Sequence, residues 1–339
     1  MKTSTRRRAL AITAVTALSG IALLSGCAGS PSASSSEGET EVAYLSSSSA
    51  NTWLSASGKA MQEEAKKAGI KITEFDAKFE PGKSVKQIQD VVASKKYKGI
   101  IIATSDGPGA IPALQKAMDA GIKVVILNQV VGEKLDTADP QVPGFSASVL
   151  APPKGTGERL GKLALKACDG LEECKVVYMY GLKGTPFDTA VRDGFDSTIT
   201  GNSKIKVVAD TEGGFLGTAE PRKAVQDVLQ SNPNFDVFVA AGDQQVRGAQ
   251  LALGDAGKPA VKTIGVGASE PALKGISEGT WFGDVAGVPA DEGRAALNAM
   301  VKAIKENKDS GGIDVVDDLP DGGLITKENV AKFTAQWAG

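Results

Sequence analysis

From Glu41 onward one unit repeats along the chain: a short apolar run, then a stretch with helical periodicity, then another run. The runs are VAYL (42–45), IKITEF (70–75), GIIIAT (99–104), KVVILN (123–128), KVVYMY (175–180), IKVVAD (205–210), DVFVAA (236–241) and VKTIGVG (261–267). Most are β-branched and apolar on consecutive residues rather than alternate ones. Such a run suits a strand covered on both faces, the condition of a parallel sheet. The stretches between are amphipathic. In WLSASGKAMQEEAKKAG, Leu54, Met61 and Ala65 share a face and Gly69 supplies the stop. SVKQIQDVVASKK, IPALQKAMDAG and PRKAVQDVLQSNP behave alike. Strand–helix alternation of this kind predicts an α/β fold with right-handed crossovers.

The rhythm breaks at PQVPGFSASVLAPPKG (140–155), where Pro and Gly accumulate, and resumes with GERLGKLALKACDG. A chain of 339 residues has room for about two domains of roughly 150 residues each. Two doubly wound lobes with a junction near residues 144–150 are therefore expected.

The chain begins with a different grammar. Lys2, Arg6, Arg7 and Arg8 precede an uncharged run from Ala9 to Leu24. Its 16 residues fall short of the roughly 20 that span a bilayer, so residues 1–26 read as a secretory signal. Thr5, Arg6 and Arg7 also suit twin-arginine export, which leaves the route open. LSGC (24–27) resembles the lipobox of bacterial lipoproteins, which implies cleavage before Cys27, a diacylglyceryl anchor on that cysteine and a location on the outer face of the cell membrane. Residues 27–40 are small, polar and free of aromatics, the composition of a tether.

Cleavage there takes the formal charge from −2 to −6, because four basic residues and no acids leave with the signal. A mildly acidic body is a poor partner for nucleic acid, which needs clustered Lys and Arg. Outside the cytoplasm, Cys168 and Cys174 in CDGLEEC are expected to form a small disulfide. The chain has no histidine. That excludes Ser-His and Cys-His catalysis, and two thiols are too few for a structural zinc, so neither a metal nor a cofactor is expected. The acidic run DVVDDLPDGG (314–323) lacks the alternating acids and closing Glu of a calcium loop and reads as a solvated segment.

Open α/β sheets bind ligands at the carboxyl ends of their strands. The loops there are SSSSANTW, DAKFEPG, TSDGPG, NQVVG, YGLKGTPFD, DTEGGFLG, AGDQQ, GASEP and AGVPAD. Turn chemistry accounts for their Gly, Asn and Ser, but not for Trp53, Phe187 and Phe215 in the same loops. A sugar or polyol does: flat aromatics cover its C–H face, while Asn, Asp, Gln and Arg take its hydroxyls. Trp53 is expected to wall a cleft with Asn51 at its rim; interlobe packing is the competing role for that indole.

The segments EEAKKAGIKI, QIQDVVASKKYKGIIIATSD, ALQKAMDAGIKVVILN, AVRDGF, IGVGAS and GGLITKENV, in that order, resemble the type I periplasmic sugar-binding proteins of ABC importers, the ribose- and galactose-binding group. The resemblance implies two Rossmann-like lobes joined by a three-segment hinge, which close on a ligand and deliver it to a membrane permease. It divides the chain into 41–149 plus 288–311 and 150–287 plus 312–339. A monomer is expected. Carried over by position, Asn51, Trp53, Asp106, Phe215 and Asp243 keep the family's residue types, and Phe187 and Asp188 close the YGLKGTPFD loop. The family's Asp-Arg after the fourth strand is Asn128-Gln129 here. Its next arginine falls at Thr189, with Arg192 three residues on. Its remaining polar side chains at the second crossover and the Gly-Phe-Asp turn are Gly287 and Gly267. Neutral groups in place of charged ones weaken individual hydrogen bonds, so a larger sugar, a disaccharide or an alditol fits better than D-ribose or D-galactose held in the usual way. A nucleoside or signal-molecule receptor shares the fold. A nicotinamide-dependent enzyme would need G-x-G-x-x-G after the first strand, which SSSSANTW is not. A hydrolase using Asp106 and Asp243 stays open, and a sugar-responsive repressor would need an N-terminal helix-turn-helix.

Overall fold

The computed structural model describes residues 39–339. Residues 1–38, and with them the signal and Cys27, lie outside it. Two six-stranded sheets organise the described chain. The first is built from β1 (Thr40–Ser46), β2 (Ile70–Asp76), β3 (Gly99–Ile102), β4 (Lys123–Leu127) and β5 (Ala147–Leu150), alternating with helices α1 (Thr52–Ala68), α2 (Pro81–Ser94) and α3 (Gly107–Asp119). The second follows from β6 (Cys174–Tyr180), β7 (Ile205–Glu212), β8 (Val237–Ala240), β9 (Lys262–Val266) and β10 (Gly283–Val285), with α4 (Pro153–Ala167), α5 (Pro186–Ile199), α6 (Ala219–Ser231), α7 (Asp243–Asp255) and α8 (Glu270–Glu278). The chain then returns through α9 (Pro289–Lys305) and β11 (Gly311–Asp314) to the first sheet, and crosses back to end with β12 (Leu324–Thr326).

The strand orders are β11-β5-β4-β3-β1-β2 and β12-β10-β9-β8-β6-β7. All pairs are parallel except β10 with β12. Three segments cross between the lobes: after β5, after β10 and after β11. The fold is therefore the expected pair of doubly wound lobes with a three-segment hinge. The first sheet gathers residues 40–150 and the return through α9 and β11, which runs on to Asp314.

The non-alternating runs are explained by the two-sided burial. In β3, Ile101 packs with α1 and α9, while Ile100 and Ile102 pack with α2 and α3. The second lobe repeats the scheme, with α4 and α5 on one face and α6 to α8 on the other. Helices α4 and α5 approach closely because glycines face the contact. A Cβ on Gly157 would lie 1.9 Å from the Val191 carbonyl oxygen, and one on Gly194 would lie 2.1 Å from that of Lys154. Cys168 at the end of α4 is joined by a disulfide to Cys174 at the start of β6, with Cα atoms 5.6 Å apart.

Four short strands were not among the apolar runs. β5 sits inside the Pro/Gly-rich break, β10 carries the buried Asp284, and β11 and β12 are glycine-flanked segments of four and three residues. Each is too short or too polar to read as a run, and tertiary pairing alone makes it a strand. In the acidic segment, Asp321 accepts from Lys332 and Asn329. No cluster of metal-ligating side chains and no helix long and apolar enough to cross a membrane occurs among the described residues.

Candidate functional site

The carboxyl ends of both sheets open onto one cleft of about 1000 Å³, open solvent at its mouth included. Eight of the nine strand-end loops contribute a lining residue; GASEP alone does not.

Asn51 begins the first wall. It caps α1, its Oδ1 accepting from Leu54 N at 2.9 Å, as Asn does at a helix start. Its Nδ2 donates across the cleft to the Phe215 carbonyl at 3.0 Å. Gln244 reaches back from the second lobe to Thr52 Oγ1 at 3.3 Å. Asn51, expected at the rim, thus also bridges the lobes, and Gln244 adds a second bridge.

Trp53 follows in the first turn of α1. Its ring is half-buried and lines the cleft, and its Nε1 donates to Glu292 Oε2 at 2.8 Å. Gly287 leaves space for it, since a Cβ there would lie 2.2 Å from Trp53 Cη2. Trp337 from the C-terminal segment meets Trp53 edge to face, with centroids 5.5 Å apart. That second indole is fixed by its own Nε1 donating to the Gly267 carbonyl at 2.7 Å. Trp53 therefore faces the gap and also packs across it.

Asn128 directly follows β4 with φ at 63°, a left-handed conformation that asparagine tolerates better than most residues. Its Nδ2 lies 3.3 Å from Glu292 Oε2, and its Oδ1 accepts from Gln129 Nε2 at 3.0 Å. Phe187 and Phe215 line the opposite wall. Asp188 also lines it, but its carboxylate accepts from Gly181 N at 2.6 Å and Leu182 N at 3.0 Å and so holds its own loop. Burial raises its pKa, and those two amides oppose the rise.

Three sequence candidates do not line the cleft. Asp106 caps α3 through Gly109 N at 3.0 Å, and its neighbour Ser105 forms the wall instead. Arg192 lies one helical turn past Asp188 and is drawn to the outer strand. Its Nε donates to Asp196 at 2.8 Å and its Nη1 to Tyr180 and Asp210, with the guanidinium over the Tyr178 ring. Asp243 is sealed under the floor, where it accepts from Ser269 N at 2.8 Å and lies beside the buried Asp284. Burial raises the pKa of both acids, and the Asp243 charge pushes Asp284 up further. Asp106 and Asp243 therefore do not face each other across the cleft, and the hydrolase built on them has no footing.

Sequence reasoning missed Glu292, Trp337 and Gln244, all of which line the cleft. Glu292 is 1 % exposed, and burial pushes its pKa up to about 8 against the pull of Trp53 and Asn128. One signal was available: Glu292 is in phase with Ala296, Ala299, Met300 and Ala303 on the apolar face of α9, an acid where the period asks for a hydrophobe. Trp337 gave none, since it lies outside every strand-end loop.

A family profile described as periplasmic binding protein domain matches residues 42–309. The D-allose-binding periplasmic protein of Escherichia coli K12 is 28% identical over 255 residues, covering 74% of this chain and 80% of that protein. The ribose import binding protein RbsB of the same strain is 24% identical over 247 residues, covering 73% and 79%. Among solved structures, an ABC transporter solute-binding protein from Mycobacterium smegmatis with bound glycerol superposes with a TM-score of 0.75. It is 24% identical and covers 89% of this chain and 100% of its own. A galactofuranose-binding protein gives 0.76 at 21% identity, covering 86% and 96%. The strand order, the crossovers and these matches agree: the chain belongs to the type I periplasmic sugar-binding protein family of ABC importers.

Proposed function

We propose that this protein captures a sugar or sugar alcohol in the cleft between its lobes and hands it to an ABC permease, held at the extracytoplasmic face of the cell membrane by a lipid on Cys27. The observation that carries the reading is Trp53, an indole facing the gap between a neutral amide rim and a second indole from the opposite lobe. Aromatic faces cover the C–H side of a sugar ring, and Asn and Gln each offer a donor and an acceptor to its hydroxyls. Asn51, Asn128, Gln129, Phe187 and Phe215 are the proposed contacts, with Gln244 and Trp337 added. Asp106, Arg192 and Asp243 act by holding loops and floor. Ligand that touches both lobes favours the closed form, and the closed face is what a permease reads.

A nucleoside is the second reading, favoured by one observation: Trp53, Phe79, Phe187, Phe215 and Trp337 place five aromatic side chains in the lining. A thermal-shift screen of residues 39–339 against sugars, alditols and nucleosides separates the two. A true ligand at 1,000 times its Kd adds about 4 kcal/mol of stability. A sugar or alditol hit supports capture, a nucleoside hit replaces it, and turnover of the hit to product would overturn the transport role.

A further inference from the structure

The lining of the cleft has an uneven charge. Among the described residues it contains no Lys and no Arg, and its only ionisable side chains are Asp188 and Glu292. Asp188 spends its oxygens on the amides of its own loop. Glu292 is different. It is almost fully buried, it lines the cleft, and its two partners are the neutral donors of Trp53 and Asn128. An ionised carboxylate has about four lone-pair sites, so two donors leave acceptor capacity free once the group is charged. The groups beneath and around it do not supply a cation. On β1 the nearest titratable neighbour is Tyr44, whose hydroxyl is buried and donates to the Leu54 carbonyl. Asp188 faces the same cleft from α5, and the next charged residues on α9, Asp291 and Arg294, are exposed and paired with each other.

We propose that Glu292 is a specificity-determining ligand contact: held by Trp53 and Asn128, its carboxyl group receives a hydroxyl of a neutral ligand and turns away sugars that bear an acid group. This rests on the sugar reading and narrows it. An anionic ligand would bring a charge into a desolvated site that offers no cation to pair with it. A hydroxyl donor is favoured because a bond to a carboxylate is about twice as strong as one between neutral groups. A hydroxyl donor favours the charged carboxylate over the protonated group, so ligand binding draws off the proton that burial holds on Glu292, and capture strengthens as pH rises.

The test uses calorimetry on the wild type and Glu292→Gln at pH 6.0 and 8.5. The probes are D-allose, D-ribose, D-galactose and myo-inositol, with D-ribonate and D-galacturonate as acid counterparts. Expected is binding of a neutral probe and none of the acids. The wild type should release a proton on binding and tighten toward pH 8.5. Glu292→Gln, with an unchanged circular dichroism spectrum, should bind that probe at least tenfold more weakly and with a flat pH profile. Equal affinity and equal pH profile in the two proteins, or an acid that outbinds its neutral counterpart, overturns the inference. Should none of the probes bind, the sugar reading fails for them, and the role of Glu292 is decided on the free protein. A step in indole emission above pH 7 that Glu292→Gln abolishes supports a cleft-facing carboxyl coupled to Trp53, and identical profiles overturn it.

Discussion

A glutamate ionises near 4.5 in an unfolded chain, and burial between Trp53 and Asn128 holds the proton of Glu292 to about 8. Between those values the native state binds the extra proton. The stabilising contribution is complete below 4.5 and is lost as pH rises through 8, with a slope of at most about 1.4 kcal/mol per pH unit. Asp188, Asp243 and Asp284 shift in the same direction, so the share of Glu292 is isolated as a difference. Urea unfolding of the wild type and Glu292→Gln from pH 5 to 8.5 should show the wild type losing stability more steeply. Parallel curves would mean that Glu292 ionises as freely as in the unfolded chain. The residue scale also shows why side-chain type predicts position poorly. Arg192 and Asp188 are four apart on α5, yet one faces the outer strand through Asp210 and the other the cleft.

At the scale of elements, packing is decided where helices come closest. The α4–α5 contact depends on Gly157 and Gly194, each too near a backbone carbonyl for a side chain. Gly157→Ala must push the helices apart, and overpacking of this kind costs about 1–3 kcal/mol. The expected outcome is a lower urea midpoint with the cleft between the lobes intact, since neither glycine lines it. A midpoint equal to the wild type would show that the pair can slide at no cost. The long helices were legible in the sequence because their apolar faces repeat over several turns. The strands β10, β11 and β12 were not, because three or four residues carry no period and their partners are distant in sequence.

For the whole molecule, the relevant quantity is the balance between open and closed lobes. Asn51 both caps α1 and bridges to the Phe215 carbonyl, and Trp53 meets Trp337 across the same gap. Asn51→Ala should lose about 1 kcal/mol of unfolding stability with the cap. It should also shift the free protein toward the open form, seen as a larger radius of gyration by small-angle scattering. An unchanged radius would mean that the remaining bridges, Gln244 to Thr52 among them, hold the lobes without it.

The sequence by itself determined the architecture and the end of the sheets at which the cleft opens. Buried parallel strands must be apolar on consecutive residues, and loops at their carboxyl ends must converge, so both are written locally. Only the tertiary structure decided which side chains enter the cleft. Glu292 and Trp337 arrive on segments that return from far along the chain, while Asp106, Arg192 and Asp243 are claimed by a helix cap, an ion pair and a buried acid pair. The direction a side chain takes is set by its nearest donors and acceptors in space, and a linear sequence does not state who those neighbours are.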